Sequence, residues 1–351
     1  MQRLKEATDA PLRTLGLTKV FKTKIAVQFL GGARENTAVD HLNITTPKNA
    51  IYGFLGPNGA GKTTTIRMIV GLIKPTSGTA SICGHTIHDD LRGAQRCIGY
   101  MPDAVRLPSM KAVALLEILG EYAGLKRAQA RRNALEMLSW AGLDDQGTLN
   151  TKVSRWSAGM QRKLLFIQAM LHKPDVLILD EPTANLDPVA RRSLIDLLKR
   201  AAQGDSDKSW HPTIMISSHD LPEVQEVSTV IGFLSHGTLI AEGTQEALRK
   251  AITEATDGGA TTFTVTGNGL DKIVEDVKDR LGSVSGVSDT KFTVTTKHSN
   301  TLFKELAIIG EKHPDVSITN LVQEEDSLES IFIKLEKMTK TKNTQRSMRD
   351  K

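Results

Sequence analysis

Gly56-Pro57-Asn58-Gly59-Ala60-Gly61-Lys62-Thr63 fits the pattern G-x-x-x-x-G-K-[ST], and its flanks give it the setting that pattern needs. Ahead of it runs Ile51-Tyr52-Gly53-Phe54-Leu55, a short apolar stretch that reads as a buried strand, and behind it Thr64 to Val70 reads as helix. A strand, a glycine-rich turn and a helix together make a phosphate loop. Its glycines let successive N–H groups turn inward on phosphate oxygens, and the helix adds its positive end. Residues Gly56 to Thr64 are therefore the expected phosphate contacts, with Lys62 reaching the β and γ phosphates and Thr63 a magnesium ion.

Further along, Val176-Leu177-Ile178-Leu179 ends in Asp180-Glu181. An apolar strand ending in two carboxylates is ordinary by itself, but after a phosphate loop it suggests a division of labour. Asp180 would hold Mg²⁺ and Glu181 would orient a nucleophilic water. Thr213 to Ser217 reads as another buried strand, and Met110 to Ala123 and Ala128 to Trp140 as helices inserted into the α/β core. From about Leu12 to Gly243, strand-like runs alternate with helical ones, which predicts an α/β domain with a mainly parallel sheet.

The length of 351 residues suggests two domains, and composition shifts near Glu254 to Ala260. The first domain is expected over residues 1–250, with its helical subdomain at about 103–165. The second is expected over 260–338 as a small α+β unit. Its expected order is strand Thr261–Thr266, helix Leu270–Leu281, strands Val284–Asp289 and Lys291–Thr296, helix Thr301–Lys312, strand Val316–Leu321 and helix Ser327–Met338. Strand, helix, strand, strand, helix, strand is the split βαβ, or ferredoxin-like, pattern. Residues 339–351 read as a basic, disordered tail. From Lys337 onward the six basic residues and one acid account for the whole net charge of +5. The rest of the chain is neutral overall, which argues against a nucleic-acid surface. No stretch approaches the ~18 apolar residues a membrane helix needs. The start lacks the apolar core of a secretory signal, so the chain is expected to stay in the cytoplasm. Two cysteines, Cys83 and Cys97, are too few for a disulfide framework or a zinc ribbon.

Together these stretches resemble the ATP-binding subunit of an ABC transporter, a P-loop NTPase fold. Trp156-Ser157-Ala158-Gly159-Met160-Gln161-Arg162 is similar to the signature loop of that family, Ala184-Asn185-Leu186-Asp187 to its D-loop, and His219 occupies the place of its switch histidine. Asp103, in Cys97-Ile-Gly-Tyr-Met-Pro-Asp103, stands where the family carries its Q-loop glutamine. Being shorter and anionic, it leaves direct contact with Mg²⁺ or the lytic water open. Leu17-Thr-Lys-Val-Phe21 resembles the adenine-stacking segment, although an apparent insertion around Ile25 to Asn36 makes Phe29 a rival contact. Ser327-Leu-Glu-Ser-Ile-Phe332 looks like the closing motif of an accessory domain found on ATPases of ABC-2-type exporters.

The resemblance implies an ATP- and Mg²⁺-dependent ATPase that works as a head-to-tail homodimer, with Ser157, Ala158, Gly159, Met160 and Asp187 completing the site of a second copy. It implies Glu181 as general base, with His219 and Lys62 on the γ-phosphate. Integral membrane permease subunits are the expected partners, docked near residues 103–125 at the cytoplasmic face of the membrane. Two rivals remain. One is a soluble ABC ATPase acting on ribosomes or chromosomes, which the single phosphate loop and the short spacing from Lys62 to Ser157 disfavour. The other is a regulatory subunit with weakened hydrolysis, for which Asp103 would be the sign.

Overall fold

The computed structural model describes residues 10–24, 33–204, 210–256, 261–296 and 301–324. The chain forms two compact units, Met1–Thr244 and Gln245–Lys351.

In the first unit, β1 (Leu12–Lys24) and β2 (Ala33–Thr45) form a long hairpin, followed by β3 (Ile51–Leu55) and α1 (Lys62–Ile69). Next come β4 (Ser77–Ile82), β5 (His85–Thr86), α2 (Leu91–Arg96) and β6 (Ile98–Met101). The helical insert holds α3 (Ala112–Tyr122), α4 (Arg127–Trp140) and α5 (Gln146–Asn150), and leads into α6 (Ala158–Met170). The order then runs β7 (Val176–Asp180), α7 (Pro188–Ala202), β8 (Thr213–Ser218), α8 (Leu221–Val227), β9 (Val230–Ser235) and β10 (Thr238–Gly243).

Six of these strands make the core sheet in the order β10-β9-β3-β8-β7-β6, parallel throughout except for the β9/β10 hairpin. Side chains alternate across it. Leu177, Leu179, Ile214 and Ile216 face the helical insert, packing with Leu116 and Phe166. Val176, Ile178, Met215, Tyr52 and Phe54 face the other way, against Ile66, Leu12 and Leu17. Strands buried on both faces read as continuous apolar runs, which is why β3, β7 and β8 are legible in the sequence.

A second sheet, antiparallel and ordered β2-β1-β4-β5, accompanies the mainly parallel core sheet that the alternation of strands and helices predicts. Its alternation is broken by register shifts between Thr14 and Leu17, Leu17 and Lys19, and Lys19 and Val20. Each shift scrambles the period of two that would announce a strand. The apparent insertion lengthens this hairpin: pairing continues from Phe21↔Asn36 to Lys24↔Ala33.

The second unit opens with α9 (Gln245–Thr256), which runs through the start of the expected linker. It continues with β11 (Thr261–Asn268), a 3₁₀ turn (Leu270–Ile273), α10 (Val274–Leu281), β12 (Ser283–Ser285), β13 (Lys291–Thr296), α11 (Leu302–Lys312) and β14 (Ser317–Glu324). Its antiparallel sheet is ordered β12-β13-β11-β14. Phe263, Val265, Phe292 and Val294 project from one face onto Val277, Leu306 and Ile309 of the two helices. Strand β12 stops at Ser285 rather than reaching Asp289. There the chain turns, with Ser288 N–H bonded to the Lys291 carbonyl and Gly269 N–H to the Asp289 carboxylate. The expected helix Ser327–Met338, the Ser327–Phe332 motif and the tail lie outside the described residues.

Candidate functional site

The turn after β3 is folded against its surroundings by backbone bonds. Gly56 N–H donates to the Ser218 carbonyl at 3.3 Å, Ala60 N–H to Pro57 at 3.1 Å, and Gly237 N–H to Ala60 at 2.8 Å. Gly61 closes it at φ 107°, where an added Cβ would sit 2.4 Å from the Ala38 carbonyl oxygen. Only glycine meets both conditions.

Lys62 is buried at 5% exposure, and its ammonium lies 2.6 Å from the Gly56 carbonyl, 3.2 Å from that of Pro57 and 3.1 Å from Glu181 Oε1. Thr63 Oγ1 donates to Asp180 Oδ1 at 3.2 Å. Asn58, Gly59, Lys62, Thr63 and Thr64 line a cavity of about 350 Å³, which Phe21, Asn36 and Asp103 complete. Phe21 is 41% exposed and carries the Lys19 ammonium 5.2 Å from its ring centre. Phe29, its rival, lies outside the described residues.

Asp180 ends β7 fully buried. Its Oδ1 accepts from Ser217 Oγ at 2.7 Å as well as from Thr63, while Oδ2 has no partner. Burial pushes its carboxyl above the ordinary range, and the negative charges of Asp103 and Glu181 add to this. A buried carboxylate oxygen without a partner is costly. Beside a threonine hydroxyl it forms the hard oxygen pair that suits Mg²⁺, so the residues present fit that ion.

Glu181 follows at φ 47°, the left-handed region that a residue with a Cβ avoids. Two bonds hold it there, from its N–H to the Ser217 carbonyl at 3.2 Å and to Ser217 Oγ at 3.0 Å. Its Oε2 lies 2.8 Å from His219 Nδ1. A second cavity, of about 470 Å³, shares Asn58, Asp103 and Glu181 with the first and adds Asn185, Arg191 and His219.

The remaining expected residues divide into two groups. Asp103 joins the site but pairs with Arg162 at 3.3 Å, whose guanidinium also bonds the Ala184 carbonyl at 3.4 Å. Ser157 caps α6 by accepting from Met160 N–H at 3.3 Å, and Asp187 caps α7 by accepting from Val189 and Ala190 at 3.0 and 2.9 Å. Ser157, Ala158, Gly159, Met160 and Asp187 line neither cavity. Gly159 instead marks where α6 meets α7, since a Cβ there would stand 2.8 Å from that of Ala190.

Two positioning residues, Ser217 and Arg162, and one cavity-lining residue, Asn36, are not singled out by sequence. Ser217 sits in a legible strand, so its place facing Asp180 follows once β7 and β8 are paired. Glu223 is also missed. It bonds Thr183 and, at 3.0 Å, Ser218 Oγ, and burial pushes its carboxyl up.

Residues 39–184 match the ABC transporter domain family. The bacitracin transport ATP-binding protein BcrA of Bacillus licheniformis is 35% identical over 246 residues, spanning 67% of this chain and 72% of its own. The chain belongs to the ABC transporter family. This ABC ATPase is also 29% identical over 306 residues to the linearmycin resistance ATP-binding protein LnrL of Bacillus subtilis, covering 86% of this chain and 94% of that one. Among solved structures, the dimeric cassette MJ0796 superposes with a TM-score of 0.57 at 24% identity, over 66% of this chain and 98% of its own. At that identity the likeness is one of fold: the core of this ABC ATPase is the P-loop NTPase cassette.

Proposed function

We propose that this ABC ATPase is the ATP-hydrolysing subunit of an exporter, working as a head-to-tail pair of identical chains beneath integral membrane permease subunits. The observation that carries the reading is the line Lys62–Glu181–His219, with contacts of 3.1 and 2.8 Å, set beside the partnerless oxygen of Asp180. It joins a cation for phosphate, a carboxylate for a water proton and a metal-facing oxygen at one cavity mouth.

The chemistry follows from these side chains. With ATP bound, the Lys62 ammonium exchanges the Gly56 and Pro57 carbonyls for β and γ phosphate oxygens, and so releases Glu181. Glu181 then accepts a proton from the water that attacks the γ-phosphorus. The bond to the β–γ bridging oxygen breaks, leaving ADP and phosphate. His219 steadies the Glu181 carboxylate through Nδ1 and meets the γ-phosphate. Thr63 and Asp180 would hold Mg²⁺, which supplies charge neutralisation of the β and γ oxygens. Phe21 offers its ring to the base.

The loop Ser157–Met160 and the D-loop Asp187 lie away from both cavities of their own chain, which supports their use on a second copy. Cleaving the γ-phosphate that both copies grip removes what favours the closed pair, and the dimer opens. No helix among the described residues is long and apolar enough to cross a membrane. The exposed apolar side chains Val105, Ile118 and Tyr122, the last 87% exposed, make the region 103–125 the candidate docking face at the cytoplasmic side of the membrane. Relatives named for bacitracin transport, linearmycin resistance and Nod factor export favour export.

The test is sizing of the purified chain with ATP and Mg²⁺, paired with mild-detergent purification from its source. An ATP-dependent dimer and co-purification of an integral membrane protein are expected. A monomer at saturating ATP would remove the paired-site mechanism, and a soluble complex free of membrane protein would remove the transporter assignment.

A further inference from the structure

At the end of the core sheet opposite the phosphate loop, the chain gathers Cys83, Cys97 and Asp175. Cys97 immediately precedes β6 and Asp175 immediately precedes β7, where Val176 N–H bonds the Cys97 carbonyl at 2.9 Å. Cys83 follows β4, tied through its N–H to the Pro11 carbonyl at 2.8 Å. The two sulfurs and a carboxylate oxygen of Asp175 all lie within 4.8 Å of one another. Ligand atoms around a tetrahedral zinc ion, with bonds of ~2.0–2.3 Å, stand about 3.3–3.8 Å apart. Side-chain shifts of about 1.5 Å at most therefore close the triangle.

One further observation favours an occupant. Cys83 and Asp175 open onto a cavity of about 300 Å³ that His211 also lines, so the third side of the triangle has room for a fourth ligand. Cys83 and Gly84 form the two-residue turn between β4 and β5, which sets the positive φ of both and holds the Cys83 side chain in place.

We infer that Cys83, Cys97 and Asp175 form a binding site for a divalent cation of the zinc type, its fourth position taken by water or by His211. Two thiolates and a carboxylate are a donor set for zinc rather than for magnesium, which keeps to oxygen. The site is independent of the nucleotide pocket and of the reading proposed for it. Its structural effect is to staple the turn between the antiparallel strands β4 and β5 to the starts of β6 and β7. The far ends of those two strands carry the approach to Asp103 and Asp180 themselves.

The test uses the full chain, kept reduced and freed of metal with a chelator, then titrated with Co²⁺ and back-titrated with Zn²⁺. One equivalent of Co²⁺ should raise a thiolate-to-cobalt charge-transfer band that one equivalent of Zn²⁺ abolishes. The band should be lost in Cys83→Ser and in Cys97→Ser, yet kept in Glu181→Gln and in the presence of magnesium and ATP. Asp175→Asn should keep the band and weaken cobalt affinity by about tenfold or more. This third variant alters an exposed side chain, so it remains informative if either serine variant fails to fold. Zinc should also raise the melting temperature of the parent chain but not of Cys97→Ser. Absence of the band overturns the site, as does a band that survives in either serine variant or oxidation of the two thiols to a disulfide with no metal taken up. Unchanged affinity in Asp175→Asn removes that residue from the ligand set.

Discussion

Nδ1 of His219 lies 2.8 Å from Oε2 of Glu181, while the other oxygen of the same carboxylate faces Lys62 at 3.1 Å. One carboxylate thus links the expected phosphate cation to the expected γ-phosphate sensor. Under the proposed mechanism, the lone pair of Oε1 that faces Lys62 is freed for water once Lys62 turns to phosphate.

From this we expect Glu181→Gln to keep ATP affinity, since the amide still reaches Lys62 and His219, but to lose turnover by ~10²–10⁴. Phosphate release under saturating ATP measures the loss. Equilibrium nucleotide binding and sizing read the retained affinity and the accumulated dimer. Undiminished turnover would remove Glu181 as the base. His219→Ala, which frees Oε2, should cost about 10² in turnover with little change in ATP affinity.

Asp180 gives a prediction about pH. Burial raises its carboxyl in the folded chain above the ordinary 3.8. The folded state therefore holds this proton more tightly than the unfolded state. Its contribution to stability is full below that ordinary value and is lost as pH rises through the native value. At neutral pH without nucleotide, Asp180→Asn should melt higher than the parent, and the advantage should shrink as pH falls toward 3.8. Magnesium and ATP should stabilise the parent but not this variant. A scan of melting temperature against pH, with and without magnesium–ATP, reads both effects.

Asp103 stands where a glutamine is usual, yet its carboxylate is spent on Arg162 at 3.3 Å and is 47% exposed. Arg162 is only 12% exposed but keeps the Pro102 and Ala184 carbonyls as partners, so losing the Asp103 anion costs about 1–3 kcal/mol. Asp103→Gln should therefore change stability by no more than that while leaving turnover no lower than in the parent. Chemical denaturation and steady-state hydrolysis decide the matter. A collapse of activity would give the anion itself a part in hydrolysis.

Gly61 tolerates no side chain, because a Cβ would meet the Ala38 carbonyl at 2.4 Å and φ is 107°. Gly61→Ala should cost about 1–3 kcal/mol of stability from backbone strain. It should also abolish nucleotide-induced stabilisation, since the loop can no longer close around phosphate. Thermal melts with and without ATP distinguish the two losses.

Where the chain is buried on both faces, its sequence speaks plainly. β3, β7 and the first part of β8 read as apolar runs, and Lys62, Glu181 and His219, which follow their ends, lie in contact with one another. The β1–β2 hairpin was hidden because three register shifts interrupt its alternation within a few residues. Asp103 lines both cavities, but its partner Arg162 lies on α6, 59 positions away, where no spacing rule points. Ser217 illustrates the same limit: its contact with Asp180 arises only when two parallel strands pair at Asp180↔Ser217. Counting cysteines excludes a disulfide framework and a zinc ribbon but is silent on Asp175, since an aspartate 78 positions from Cys97 carries no spacing signal.

The half-exposed ring of Phe21 stands on strand β1 and lines the same cavity as the phosphate loop. A flat aromatic surface accepts any heterocycle, whereas a nest of amides and a lysine counts anionic oxygens. Such a pocket would read the phosphate chain more strictly than the base, so GTP is expected to compete with ATP for it.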